Sequence, residues 1–130
     1  MFEVTVEQTF AAGHSLREYK GKCENVHGHN YRVQVTVEGE KLNRIGLLVD
    51  FVDLKRAVRQ VIEKLDHQFI NDVEPFTTVN PSAENLAKYF YDEVSRALNI
   101  EASNFNDAPV RIAQIKIWET DTSIAIYRPR

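Results

Sequence analysis

Residues 31–39 of the chain, YRVQVTVEG, alternate apolar and polar side chains without interruption. A period of two with β-branched and aromatic residues at the apolar positions is typical of a β-strand that has one buried face. We therefore predict a strand from Tyr31 to Glu38 that ends at Gly39. The expected buried positions are Tyr31, Val33, Val35 and Val37.

The same alternation occurs toward the N-terminus, in residues 2–10, FEVTVEQTF. It predicts a first strand from Phe2 to Phe10, and we expect the two strands to pair antiparallel. The buried positions predicted for this strand are Phe2, Val4, Val6 and Phe10.

From Asp50 onward the apolar residues recur every three to four positions as far as Leu65, which predicts an amphipathic helix. A loop containing Pro75 follows. Asn80-Pro81-Ser82 then supplies a capping residue and a proline of the kind tolerated in a first helical turn. We predict that a second helix begins there and runs to about Asn99.

The C-terminal part contains two β-prone stretches, Arg111–Glu119 and Ser123–Arg128, separated by the turn-like pair Asp121-Thr122. They predict a hairpin. The predicted order is ββααββ, an α+β class in which residues 1–130 form one domain, with an antiparallel sheet and both helices on one face. A sheet of four strands exposes two edges, and we expect oligomerisation to cover them.

The amino-acid composition limits the classes of function that the chain can have. The 130 residues are 43% hydrophobic and 27% charged, with a formal net charge of −3, as in one soluble globular domain. Lysines and arginines are scattered, which argues against a nucleic-acid partner. The start of the chain lacks the pattern of a secretory signal, and no stretch is apolar enough to span a bilayer. We expect a cytoplasmic protein without a membrane partner.

The four histidines carry the strongest chemical signal, because three of them lie near the only cysteine, Cys23. His27 and His29 are two residues apart at the entry to the second strand, so both rings should project to one side. Antiparallel pairing would bring His14 next to them. Three imidazoles with a fourth position open are typical of a catalytic zinc site, and we predict Zn²⁺ there. The alternative is that these are ordinary core or surface histidines.

Four further side chains, those of Cys23, Asp66, His67 and Glu119, are candidates for chemistry. Three interpretations of Cys23 are open, namely a fourth metal ligand, a buried small residue and a reactive thiol. Its polar neighbours favour the reactive thiol. Asp66-His67 is a pair suited to proton transfer, although a histidine at a helix C-terminus also complements the helix dipole. Glu119 either faces solvent or recognises a ligand that presents an N–H beside an NH₂ group. Glu84, in the first turn of the second helix, has a simple explanation as a helix-dipole partner.

These residues together resemble the tetrahydropterin synthase family over nearly the whole chain. The matching segments, in the family's order, are Phe10–His14, Cys23–Tyr31, Val49–Phe51, Leu65–His67, Asn80–Asn85 and Trp118–Thr120.

The resemblance implies the tunnelling fold, in which three subunits close a twelve-stranded barrel and two such rings stack as a homohexamer. It implies that the active sites lie between subunits and that the partner molecule is a small pterin. The family's zinc ligands match His14, His27 and His29, its catalytic thiol matches Cys23, and its proton-transfer pair matches Asp66 and His67.

The substrate-binding residues implied by the resemblance are Glu119, as pterin anchor, with Ser82 and Glu84. Ser82-Ala83 stands where some relatives carry two threonines. Arg17, Lys20 and Lys22 are candidates for phosphate contacts by charge alone, and a solvated surface role is favoured for them.

The three-residue spacer between Cys23 and His27 is similar to that of the queuosine-pathway members, whereas animal pyruvoyl-forming members carry a longer one. The implied reaction is conversion of 7,8-dihydroneopterin triphosphate to 6-carboxy-5,6,7,8-tetrahydropterin, acetaldehyde and triphosphate by a zinc-dependent lyase. The alternatives are a pyruvoyl-forming synthase, a dihydroneopterin side-chain lyase of the same fold, or a non-catalytic zinc or pterin-binding protein.

Overall fold

A computed structural model describes residues 1–19, 25–99 and 108–130. Strands β1 (Phe2–His14) and β2 (His27–Gly39) pair antiparallel along their whole length. The predicted pairing is confirmed, but both strands are longer than predicted. β1 continues four residues beyond Phe10, and β2 begins four residues before Tyr31. The added residues contain the three histidines of the predicted metal site.

Two helices follow, α1 (Phe51–Leu65) and α2 (Ala83–Leu98). Asp50 caps α1 through a hydrogen bond from the Val52 backbone N–H to its side chain at 2.8 Å. Ser82 caps α2, so Pro81 precedes the cap and does not lie in the first helical turn as predicted. The reason is that the Ser82 Oγ, and not the Asn80 side chain, accepts the free N–H of the first turn.

A short 3-10 helix, Ile70–Asp72, lies in the connection between α1 and α2 and was not predicted. Strands β3 (Val110–Thr120) and β4 (Ser123–Tyr127) form the predicted hairpin. The sheet order is β1-β2-β3-β4, all antiparallel, with a register shift between β2 and β3 at Thr36/Val37. β1 and β4 are therefore the two edges.

The helices cover one face of the sheet and form the core with it. Fully buried side chains of the central strands, such as Val35 and Ile115, pack with Leu54 of α1 and Phe90 of α2. The other face is mainly polar on β1 and β2, because their alternating polar residues point there, whereas β4 exposes Ile124 and Ile126. The predicted α+β layering is confirmed. Within the part of the chain that the structure describes, none of the helices has the length and apolarity needed to cross a membrane.

The segment after α1 returns to the end of β1. The His67 backbone N–H donates to the Ala11 carbonyl at 2.6 Å, and the Gly13 N–H donates to the Gln68 carbonyl at 3.0 Å. Gly13 also forms a parallel bridge with Phe69. These bonds fix the Asp66-His67 pair beside the strand end that carries His14.

Candidate metal centre

The strand register brings the three predicted metal ligands together. His14 is the partner of His27 across the β1–β2 pair, and His29 is the partner of Ala12. Because residues two apart in a strand share a face, all three rings project to the same side of the sheet. Their ring centroids lie 4.6 Å (His14–His27), 5.1 Å (His14–His29) and 4.8 Å (His27–His29) apart.

Hydrogen bonds to the backbone determine which nitrogens of two rings carry the proton. His14 Nδ1 lies 2.7 Å from the Pro81 carbonyl oxygen, and His27 Nδ1 lies 2.7 Å from the Asn25 carbonyl oxygen. A carbonyl oxygen only accepts, so each Nδ1 must donate, and in a neutral ring Nε2 then bears a lone pair. The two Nε2 atoms face each other at 3.1 Å. Two lone pairs at this distance require a cation or a proton between them.

Burial disfavours a proton on the His14 Nε2. His14 is 1% exposed, and desolvation lowers the pKa of its imidazole despite the opposing effect of the Pro81 carbonyl. A metal ion fits the same geometry. Two imidazole nitrogens bound tetrahedrally to zinc at about 2.0–2.1 Å are separated by roughly 3.3 Å. The observed 3.1 Å separation of the His14 and His27 nitrogens is close to this value.

His29 completes the group and brings a carboxylate into it. Desolvation lowers the pKa of His29, and its buried Nε2 has no hydrogen-bond partner among the described residues. Glu119 Oε1 lies 3.3 Å from that nitrogen, without hydrogen-bond geometry. One ligand atom from each of His14, His27, His29 and Glu119 lies within 4.8 Å of all the others. Three histidines and a nearby carboxylate are a donor set that suits a divalent ion such as zinc.

The side chains of Asp66 and His67 are in contact. His67 Nδ1 lies 3.1 Å from Asp66 Oδ1, which also accepts the Ala11 backbone N–H at 3.0 Å. The Ala11 hydrogen bond and then the neighbouring His67 lower the pKa of Asp66. His67 has a left-handed backbone (φ 60°), and its side chain is 81% exposed. A carboxylate thus holds one side of an imidazole whose other side is open.

Two cavities adjoin these groups. One, of about 400 Å³, is lined by residues of the β1 and β2 ends together with His29 and His67. The other, of about 320 Å³, lies between the start of α2 and β4 and is lined by Glu84 and Glu119, among others. His67 and Glu119 therefore open onto separate cavities, the first lined also by His29.

Of the remaining predicted residues, two make hydrogen bonds in the structure and three lie outside the described residues. Ser82 Oγ accepts the Asn85 backbone N–H at 3.2 Å, so its capping role is observed. Cys23, Lys20 and Lys22 lie outside the described residues. Arg17 donates through Nη2 to the Phe76 carbonyl at 2.7 Å and through Nη1 to the Val79 carbonyl at 3.2 Å. This guanidinium is engaged in holding the α1–α2 connection.

Tyr31 is a site residue that the sequence did not indicate. Its ring packs edge-on against His14 and His29, with centroids 5.8 Å and 5.5 Å away. The residue is fully buried, desolvation raises the pKa of its phenol, and its hydroxyl has no hydrogen-bond partner among the described residues. Its position in a strand alternation predicted only a core residue.

Comparison with known proteins gives a consistent picture. Residues 3–130 match the family described as 6-pyruvoyl tetrahydropterin synthase. The chain is 36% identical over 134 residues to a Bacillus subtilis protein named 6-carboxy-5,6,7,8-tetrahydropterin synthase, covering 99% of the chain and 86% of that protein. It is also 36% identical over 140 residues to the 6-pyruvoyl tetrahydrobiopterin synthase of Poecilia reticulata, covering 96% of the chain and 88% of that protein.

The fold is shared as well. The structure of a Caenorhabditis elegans 6-pyruvoyl tetrahydropterin synthase superposes with a TM-score of 0.82 at 29% identity, covering 100% of the chain and 98% of the other. The ββααββ arrangement described above is therefore that of the tunnelling fold.

Proposed function

The chain belongs to the 6-pyruvoyl tetrahydropterin synthase family, and from this premise we propose that it is a zinc-dependent 6-carboxy-5,6,7,8-tetrahydropterin synthase of queuosine (7-deazaguanine) biosynthesis. In this reaction 7,8-dihydroneopterin triphosphate and water give 6-carboxy-5,6,7,8-tetrahydropterin, acetaldehyde and triphosphate. The bacterial relative carries this name, and the short spacer between Cys23 and His27 is similar to that of queuosine-pathway members.

The observation that carries the proposal is the pair of facing Nε2 atoms of His14 and His27, 3.1 Å apart, with both Nδ1 atoms committed to backbone carbonyls. A binding site for an organic molecule does not need two imidazole lone pairs to face each other. A metal ion does, because both lone pairs then point at one cation. His14, His27 and His29 would hold it.

When bound, zinc supplies Lewis acidity toward hydroxyl oxygens of the substrate side chain. The protein's own groups supply the rest. In their neutral form, His14 and His27 donate through Nδ1 to backbone carbonyls and would each present an Nε2 lone pair to a cation. We assign the pterin to the second cavity, at the start of α2, because Glu119 lines it.

Proton transfer is assigned to three residues. Cys23 as thiolate removes a proton from the substrate side chain. His67, held by Asp66 through Nδ1, has Nε2 directed away from that contact and available to give or take a proton. Its 81% exposure suits a group that completes a site together with a second subunit.

Recognition of the pterin is assigned to Glu119, with Ser82 and Glu84 beside it. A carboxylate forms two parallel hydrogen bonds with the adjacent N–H and NH₂ groups of an aminopyrimidine edge. Glu119 and Glu84 line the same cavity, which supports their joint role. Ser82 Oγ accepts from Asn85, which leaves the hydroxyl hydrogen to donate to a ligand.

The second candidate is the pyruvoyl-forming reaction, because relatives with either name are equally similar at 36% identity. A third is a synthase-like protein that only trims the dihydroneopterin side chain. A non-catalytic zinc or pterin-binding protein would leave the Asp66-His67 pair and Cys23 without a task.

The proposal includes a homohexamer of two stacked trimeric rings with active sites between subunits. β1 and β4 are edges of the sheet, and Ile124 and Ile126 of β4 are each 46% exposed. Unpaired edges with apolar side chains favour assembly. Closing three four-stranded sheets into one barrel removes every edge.

The test is product identification. Zinc-loaded protein is incubated with 7,8-dihydroneopterin triphosphate, and the products are identified by mass spectrometry beside the Cys23→Ala variant. We expect the carboxy-pterin and acetaldehyde from the wild type and loss of both in the variant. A pyruvoyl or aldehyde pterin would overturn the subclass and keep the family, whereas unchanged substrate would favour the binding protein.

A further inference from the structure

Asn80 forms a two-bond clamp on the chain just after His14. Its Oδ1 accepts the Arg17 backbone N–H at 2.8 Å, and its Nδ2 donates to the Arg17 carbonyl at 3.0 Å. The amide therefore pairs with a single peptide residue in the manner of a neighbouring strand. Arg17 is three residues after the candidate metal ligand, so this clamp fixes the segment that leaves it.

The same residue is fixed from the other side by helix α2. Asn85 Nδ2 donates to the Asn80 carbonyl at 2.9 Å, and the Asn85 backbone N–H donates to the Ser82 side chain at 3.2 Å. Pro81 lies between these two anchored residues. Its carbonyl oxygen is the acceptor, at 2.7 Å, of the hydrogen bond from His14 Nδ1. The acceptor that sets the His14 tautomer is therefore held on both sides.

From these contacts we infer that Asn80 is a positioning residue for the metal centre. It acts on His14 through two routes, by holding the Pro81 carbonyl and by holding the chain at Arg17. Loss of the clamp should allow the His14 ring to turn away from His27. Outer partners that orient a metal-bound histidine contribute about 10- to 100-fold in metal affinity. The inference rests on the metal site of the proposed function.

The test is zinc affinity by competition with a chelator, measured on folded full-length protein, together with the visible spectrum after cobalt(II) substitution. Asn80→Ala is expected to weaken zinc binding about 10- to 100-fold and to shift the cobalt bands. Asn43→Ala is the matched control. The Asn43 side chain also holds backbone, accepting the Ile45 and Leu47 N–H groups at 3.0 Å each, but in a loop that is far from the site in sequence.

Asn80→Asp tests the same clamp with a side chain of equal size. It keeps the acceptor for the Arg17 N–H and replaces the donor by an oxygen that repels the Arg17 carbonyl, so its zinc affinity should also fall below that of the wild type. If Asn80→Ala does not fold, Asn80→Asp decides by the same readout. Zinc affinity within about twofold of wild type, or an equal loss in Asn43→Ala, would overturn the inference while leaving the metal site intact. A wild type that binds no zinc would overturn both.

Discussion

Glu119 Oε1 lies 3.3 Å from His29 Nε2, which places a carboxylate at the margin of a three-histidine group. This contact allows two roles for Glu119, as a fourth metal ligand or as the anchor for the pterin. We assign Glu119 the second role, because a catalytic zinc keeps one position open for substrate. The two roles predict different results on substitution.

The Glu119→Gln variant should therefore still bind zinc and should bind the substrate more weakly. We expect zinc content close to one per chain and a KM raised about 10- to 100-fold, as loss of charge-assisted hydrogen bonds implies. Metal analysis and steady-state kinetics check both parts. Loss of zinc from Glu119→Gln would instead make this carboxylate a ligand.

His14→Ala and His67→Ala form a matched pair, because each removes one imidazole near the same strand end. His14→Ala should weaken zinc binding by more than the roughly 100-fold expected for loss of an outer partner. His67→Ala should leave zinc affinity unchanged, since its side chain is 81% exposed and outside the metal-capable group, while activity falls about 100-fold or more. Similar zinc affinities in the two variants would contradict the assignment.

Asp66 should make the free energy of unfolding depend on pH in the acid range. Its pKa lies below the ordinary value of 3.8 in the folded chain, mainly because the Ala11 N–H stabilises the carboxylate. A lowered pKa contributes stability above the unfolded pKa, and this contribution is lost as the pH falls through the folded one. The free-energy gap between zinc-free wild type and Asp66→Asn should be constant near neutral pH and shrink below about pH 4. Urea titrations that show a gap independent of pH would refute this.

Assembly is predicted from the unpaired sheet edges. Light scattering on the eluted protein should give a mass close to six chains of 15.0 kDa, roughly 90 kDa. A mass near 15 kDa would show that one chain leaves its edges uncovered. It would also contradict the proposal that the active sites lie between subunits.

The sequence predicted the elements well wherever the pattern was local. The alternation in residues 31–39 and the spacing after Asp50 are each produced by the face that the segment itself buries. The predicted strands were shorter than the observed strands, because Ala11–Gly13 have little strand propensity. Their pairing with residues 28–30 of β2 is a tertiary contact. The 3-10 helix Ile70–Asp72 left no periodic signal in three residues.

The grouping of the histidines was predictable because three of them lie within sixteen residues and the alternation predicted two strands that pair antiparallel. The residues that orient these histidines were not. The Pro81 carbonyl is 67 positions from His14, and Asn80 is 63 positions from Arg17. A hydrogen bond to a distant backbone atom has no sequence motif. The pattern of Asn80-Pro81-Ser82 indicated the start of a helix and gave no sign of a contact with His14.

Anomalous diffraction on both sides of the zinc absorption edge, from crystals of zinc-loaded protein, locates the metal and so tests whether the three histidines bind it. We expect one strong peak per chain between His14 Nε2, His27 Nε2 and His29 Nε2, about 2.0–2.1 Å from each. A peak elsewhere, or no peak between these rings at full zinc loading, would contradict this expectation.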